Sequence, residues 1–440
     1  MNFDNLKKTD PICYDFVMDE MDRQETSLEL IPSECIASLS TIEALWSPFT
    51  NKYSEWYAKK RYYWWNDVVD KVELLAIERA KEVFWVAHAN VQPYSGSPAN
   101  LAVYNAVCDA WDTTMGLSLT EWWHLTHWWK VSATSKYFNP VLYWLKDDGY
   151  IDLEEVERLA IEHKPKLIWV WATAYPREFP FEEFSRIAEK VWAYLAADIA
   201  HISWLVIAWV HKSPVPYVDI ITTTTHKTLR WPRWGMIMVT DKWLIKDSDL
   251  AKKIDKAVFP WLQWWPHDHQ TLAICVALWE AMKPEFKETW INIVKNAQML
   301  WADLKDLGFE IATGWTDNHL LLVNVWKWRG WFMQESLDIA GITLNKNTIP
   351  SEPCSAFNPS GIRMWTPIMT MRGMGEAEMK QVAVWIKRVS DEIKDFVYLW
   401  EKEERKTRLK EFRKFISKNE ELKKIRSEVE ELCLKFPIYR

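Results

Sequence analysis

Glycine is scarce. The chain carries 11 glycines in 440 residues, where an average share of about 7% would give roughly 31. Cysteine is sparse too. Its six copies (Cys13, Cys35, Cys108, Cys275, Cys354 and Cys433) are scattered and form no C-x-x-C pair. That spacing excludes a disulfide frame and a zinc site and fits a reducing compartment. No uncharged apolar run reaches the ~18 residues of a membrane span. The first nine residues are polar and lack the apolar core of a secretory leader. A net charge of −7 without a basic block argues against a nucleic-acid-coating protein. These absences lead to the expectation of a cytoplasmic protein without metal, membrane or nucleic-acid partner.

What is abundant is tryptophan, at 32 residues. Glycine therefore looks displaced by tryptophan rather than merely missing. The remaining composition, 49% apolar and 26% charged, is that of an ordinary globular chain. Beyond Asn66 the apolar period becomes helical. Val68, Val69, Val72, Leu75, Ala76, Ala80, Val83 and Phe84 share one face, with Glu and Lys opposite. Helical patterns around Leu153–Leu159 and Phe184–Val191 then alternate with strand-like runs at 166–173, 194–197, 217–225 and 235–240. Such alternation predicts an α/β fold with a largely parallel sheet. The expected division is an N-terminal arm (1–50), a large domain (51–275) and a smaller α+β domain (276–440). Residues 380–432 mix Lys, Arg and Glu and read as a solvated helical face.

Three features carry chemistry. Ser95-Gly96-Ser97 precedes Pro98 and an apolar helical segment, so it offers free N–H groups and hydroxyls to an anion. Asp198 closes a short apolar run. Lys227 follows the buried-strand pattern of Val218–Thr225, where a charge is costly unless paired or neutralised. Singly these read as a helix cap, a loop aspartate and a strand-end lysine. Strands of an open α/β sheet present ligands at their carboxyl ends. There the three together suit pyridoxal phosphate: lysine for the Schiff base, aspartate for the pyridinium nitrogen, helix N-terminus for the phosphate.

The segments LIPSE (30–34), NKYSE (51–55), KRYY (60–63), NVQPYSGS (90–97), HLTH (124–127), DIAH (198–201), TTTTHKTLR (222–230), NKNTIP (345–350) and SGIR (360–363) closely resemble serine hydroxymethyltransferases. The resemblance runs over nearly the whole chain. It implies the type I pyridoxal-phosphate transferase fold, with a mostly parallel seven-stranded-type sheet domain and a smaller α+β C-terminal domain. It implies reversible transfer of the serine hydroxymethyl carbon to tetrahydrofolate, giving glycine and 5,10-methylenetetrahydrofolate through a pyridoxal 5′-phosphate aldimine. Carried over by position, Lys227 is the aldimine lysine and Asp198 the pyridinium partner. His124 stacks on the ring and His201 lies at its edge. Ser95, Gly96 and Ser97 hold the phosphate, near a loop containing Trp264 and Trp265. Thr173, Thr225 and His226 complete that pocket. Arg363 and Ser33 take the substrate carboxylate, and Glu55 handles protons. Tyr53 and Tyr63 reach the site from a second subunit, implying a homodimer or tetramer. Leu119, Trp123, Leu125, Asn345, Ser355, Ala356 and Phe357 match the pterin site. No metal is implied.

Departures from the family concentrate in one residue type. Tryptophan stands at family glycines at 46, 56, 64, 65, 85, 111, 122, 123, 128, 171, 204, 209, 231, 234, 261, 264, 265 and 365. Ala58-Lys59 replaces a Pro-Gly pair. Glycines confer φ > 0 or close backbone approach, which an indole does not tolerate cheaply. The expectation is a codon, UGA, that means glycine in the source organism and is written here as tryptophan. Two other readings stay open: a folate-independent aldolase for β-hydroxy amino acids on the same fold, and a non-catalytic relative if every indole is real.

Overall fold

A computed structural model of the chain describes residues 1–118, 134–230, 232–242, 246–326, 329–352, 358–396 and 401–438. The chain divides into two compact units. One comprises residues 33–295 and 312–320, the other residues 1–32, 296–311 and 321–440.

The first unit is built on a seven-stranded sheet. Its strands are β1 (His88–Asn90), β2 (Thr113–Leu117), β3 (Asn139–Tyr143), β4 (Leu167–Val170), β5 (Tyr194–Asp198), β6 (Ile220–Thr224) and β7 (Gly235–Val239). The order is β1-β7-β6-β5-β4-β2-β3. Only β7 runs antiparallel to its neighbours. β4, β6 and β7 are buried at every position. That explains their apolar or Thr-rich sequences, since strands covered on both faces lose the alternating pattern. The β5–β6 register pairs Asp198 with Thr222. The carboxyl ends of these two strands therefore lie side by side.

Helix Gly96–Val107 packs on β6 and β7. Its start lies so close to them that only glycine fits. A Cβ on Gly96 would come within 2.5 Å of Thr224 Cγ2, and one on Gly235 within 2.6 Å of the Ser95 carbonyl. Helix Asp67–Phe84 buries Val69, Glu73, Ala76, Ala80, Val83 and Phe84, while Val68 and Leu75 are exposed. The apolar face expected from the sequence is thus rotated, and Glu73 belongs to it rather than to solvent. Hydrogen bonding of its carboxylate, described below, makes that burial tolerable.

In the second unit, Leu28–Glu29 pairs in parallel with Ile342–Thr343. A four-stranded sheet has the order Asn345–Asn347, Gly361–Trp365, Leu320–Asn324, Glu310–Ile311. The first 32 residues belong here, because buried Arg372 ties both ends of the chain together. It donates to the carbonyls of Glu25 (2.8 Å), Ser27 (3.0 Å), Cys433 (2.8 Å) and Phe436 (2.6 Å). The charged C-terminal stretch is not merely a solvated face. Helix Lys402–Ile416 buries Phe412 and Ile416, and helix Glu420–Lys435 buries Leu422, Ile425, Val429 and Cys433.

The backbone speaks directly to the tryptophans. Among the described residues, twelve non-glycines have positive φ, and seven are tryptophan: 56, 65, 85, 111, 192, 209 and 326. A bulky residue in this region is an outlier. Trp85 and Trp192 cap helices in left-handed geometry, the position that glycine favours. Lys59, at the family's Pro-Gly, also has φ +63°. Trp204 is crowded instead: its ring centroid lies 3.6 Å from that of Phe286, nearer than the ~4.5–7 Å of ordinary aromatic pairs. We expect Trp111→Gly and Trp192→Gly, both at exposed left-handed positions, each to raise unfolding stability by ~1 kcal/mol. Chemical denaturation reads this as a higher midpoint at unchanged m-value. A lower midpoint would mean that the indoles pack usefully.

Candidate active site

Asp198 ends β5 and is buried. Its Oδ2 accepts from the Asn100 side-chain amide at 3.0 Å, and its Oδ1 from the Ala200 N–H at 3.0 Å. Asn100 is itself fixed, since its Oδ1 accepts from the Thr222 hydroxyl at 2.7 Å. Burial pushes the Asp198 carboxyl up. The Lys227 charge, the Asn100 amide and the Ala200 N–H oppose that rise without cancelling it. Sequence reasoning missed Asn100. Its signal was a polar side chain one turn after Gly96, on a helix face that otherwise buries Ala99, Ala102 and Val103.

Lys227 sits just beyond β6 and is only 9% exposed. Its Nζ lies 3.2 Å from His201 Nε2 and 5.8 Å from the Trp171 ring centroid. His201 stacks loosely on Trp171, at 6.1 Å. Thr225 is anchored through its hydroxyl to the Pro232 carbonyl at 2.5 Å. His226 Nδ1 and Thr224 Oγ1 are buried with no hydrogen-bond partner among the described residues. Burial, with the nearby Lys227 and Arg233 charges, pushes His226 down to about 3, so it stays neutral over the working pH range. Ser95 caps helix Gly96–Val107 in extended geometry, and its side chain makes no cap bond. Thr173 is half-buried nearby in sequence to β4.

A second cluster in the same unit gathers Tyr53, Glu55, Tyr63, Tyr94 and Trp265. The Tyr53 ring lies 5.3 Å from that of Tyr63 and 5.2 Å from that of Trp265. The Trp265 indole N–H donates to Glu55 Oε2 at 2.9 Å. Tyr94, immediately before Ser95, hydrogen-bonds the Trp265 backbone through its hydroxyl. Trp264 packs edge-on against Phe259. Trp264 and Trp265, expected beside the phosphate, are thus half-exposed and tied to Phe259 and Glu55. Ser33 is half-buried in this unit.

In the other unit, Arg363 and Asn345 face each other across paired strands. Arg363 Nε donates to Asn345 Oδ1 at 3.2 Å. Burial pushes the guanidinium down to about 10, still charged at neutral pH. Leu119, Trp123, His124, Leu125, Ser355, Ala356 and Phe357 lie outside the described residues. Among the described residues no cluster suited to a metal ion occurs, and no helix is long and apolar enough to cross a membrane.

The sequence model of the family described as serine hydroxymethyltransferase matches residues 6–386. The chain belongs to the serine hydroxymethyltransferase family. It is 50% identical over 388 residues to the serine hydroxymethyltransferase of Acidothermus cellulolyticus, covering 88% of this chain and 89% of that protein. With the serine hydroxymethyltransferase of Sorangium cellulosum it shares 49% identity over 393 residues, 89% of this chain and 91% of that one. The family consists of pyridoxal-phosphate-dependent transferases with tetrahydrofolate as co-substrate, on the type I fold.

The residues present fit that cofactor. A buried carboxylate that accepts from two N–H donors near the Lys227 charge suits a protonated ring nitrogen. The Ser95-Gly96 turn, pressed onto Gly235 and Thr224, leaves no room for a Cβ, and beside it Thr224 Oγ1 has no hydrogen-bond partner among the described residues. Because folding lowers the His226 pKa, the unfolded chain binds more protons between about pH 6.5 and 3. This contribution to stability is complete above pH 6.5 and is lost as pH falls through that window. His226→Asn should flatten the slope of unfolding free energy over this range, as measured by denaturant titration at several pH values. An unchanged slope would show that His226 is already charged in the fold.

Proposed function

We propose that the chain transfers the hydroxymethyl carbon of serine to tetrahydrofolate, releasing glycine, as a cytoplasmic homodimer. The observation that carries this reading is the buried Asp198, held by Asn100 and Ala200 on the strand beside the one that delivers Lys227. When bound, pyridoxal phosphate supplies an electron sink for breaking the Cα–Cβ bond. Asp198 keeps the ring nitrogen protonated, which needs the carboxylate anionic despite its burial. The N–H groups of Gly96 and Ser97, at the positive end of their helix, would hold the phosphate. Lys227 holds the cofactor, and His201, 3.2 Å away, accepts or returns its proton. Arg363 grips the substrate carboxylate through its guanidinium fork, with Asn345 fixing its orientation. Glu55 moves the proton at the substrate hydroxyl.

The self-association reading draws on a run of exposed apolar side chains. Tyr62, Tyr63 and Val68, on either side of the Trp64-Trp65 pair, are all exposed, with Tyr62 at 69%. A contiguous patch of this kind marks an interaction surface. Tyr53 and Glu55 adjoin this run, and with Tyr63 they would act on the partner's cofactor.

Lys227→Ala should abolish the near-visible absorbance of lysine-bound cofactor and serine cleavage together. A retained band would overturn the assignment of Lys227. Turnover of serine that needs no tetrahydropterin would instead favour the aldolase chemistry. Mixing Lys227→Ala with Glu55→Gln should restore activity that neither variant has alone, because one site of the mixed dimer is intact. No recovery in a mixture that sediments as a dimer would place Glu55 in its own subunit's site.

A further inference from the structure

We propose that Arg61, Asp70 and Glu73 form a clamp that positions Glu55. This rests on the role given to Glu55 above. The segment from Tyr53 to Tyr63 contains no regular element, so something other than a backbone ladder must hold it. Two acids one turn apart on helix Asp67–Phe84 do so. Asp70 accepts from the Lys59 N–H at 2.7 Å and from Arg61 Nε at 2.8 Å. Glu73 accepts from the Ala58 N–H at 3.1 Å and from Arg61 Nη2 at 2.6 Å. The remaining arm of the guanidinium donates to the Trp56 carbonyl, which also accepts from Gln92 at 3.1 Å.

The residue after Glu55 is therefore pinned by its carbonyl. The residue before it is pinned by its side chain, since buried Ser54 donates to Asp268 at 2.5 Å. Glu55's own carbonyl accepts from the Tyr62 N–H at 3.3 Å. The side chains of Arg61 and Glu73 are 4% and 2% exposed. A buried ion pair contributes little net stability, because desolvation offsets the attraction. What this one does provide is geometry. Guanidinium N–H groups diverge in one plane and fix two acids and a carbonyl at once. Lysine could not do this. The left-handed Lys59, with φ +63°, lies within the clamped segment, its N–H donating to Asp70.

Arg61→Lys and Glu73→Gln should each lower kcat for serine by up to about 100-fold, the scale of a misplaced catalytic group, with KM and the cofactor absorbance little changed. In a Glu55→Gln background Arg61→Lys should cost nothing further. Amide hydrogen exchange should quicken across residues 54–62 and stay unchanged across 194–227. Unchanged kcat in Arg61→Lys, fully additive losses in the double variant, or unchanged exchange would each overturn the clamp. Asp70→Asn serves the same tests if Glu73→Gln does not fold. If Glu55→Gln alone keeps full activity, it is the role of Glu55 that fails.

A separate observation supports a second inference. We infer that glycine occupies the left-handed tryptophan positions in the protein as its host makes it, one codon being read as glycine there. Family resemblance marks five of the seven. Trp192 and Trp326 are marked by their backbone alone, with φ +60° and +66°. Peptide masses of protein from the native host should show glycine at 192 and 326 as well as at 85. Tryptophan in those peptides, or UGG codons there, would overturn the inference.

Discussion

One carboxylate must stay charged where water is scarce. Asp198 lies at the end of a buried strand, and burial works against its ionisation. Its two N–H donors come from different elements, and each constrains the fold. The Ala200 N–H requires the chain to turn back immediately after β5. The Asn100 amide requires helix Gly96–Val107 to lie against β6, where Thr222 locks the Asn100 rotamer. That docking in turn brings Ser95-Gly96 onto Gly235 and Thr224. The anion-binding turn and the ring-nitrogen partner are thus consequences of a single packing arrangement, since moving the helix would loosen both.

The second constraint is backbone room. Gly96, Gly235 and Gly361 remain glycine where a Cβ would meet another atom at 2.7 Å or less. Many of the tryptophans instead take places where the chain turns left-handed or runs at the surface, while Trp171, Trp204, Trp234 and Trp365 are buried. Indoles at 64, 65, 111, 192 and 209 are all largely exposed. Scattered exposed apolar side chains are ordinary, but this many of the costliest residue in left-handed geometry are not. Trp171 shows the cost inside the sheet unit, where its ring stands over Lys227.

Much of the sheet unit was legible in the sequence. Helix–strand alternation gave the α/β class, and a lysine and an aspartate at the ends of apolar runs led to the ends of neighbouring strands. Legibility stopped where the deciding contact was between side chains distant in sequence. Nothing local in Asn100 announces a partner 98 residues away. The face of helix Asp67–Phe84 was misjudged because periodicity counts apolar residues, whereas Glu73 is buried through its bonds to Arg61, Ala58 and Gln92. The C-terminal helices misled in the opposite sense, their high charge masking narrow buried stripes. Chain connectivity also hid the place of the first 32 residues, which Arg372 fixes to the far end.

The two acids of helix Asp67–Phe84 also set an order of assembly. The Ala58 and Lys59 amides of this loop are satisfied by side chains of one helix and lack those partners until that helix forms and docks. Fraying of the first turns, where Asp70 sits, releases the Lys59 N–H and the Arg61 Nε together and leaves them to water. The Glu55 loop and the start of this helix therefore open as one cooperative unit, below the threshold for global unfolding. A protease that nicks the loop would sample the same opening, so cleavage there would report on the helix rather than on the loop itself.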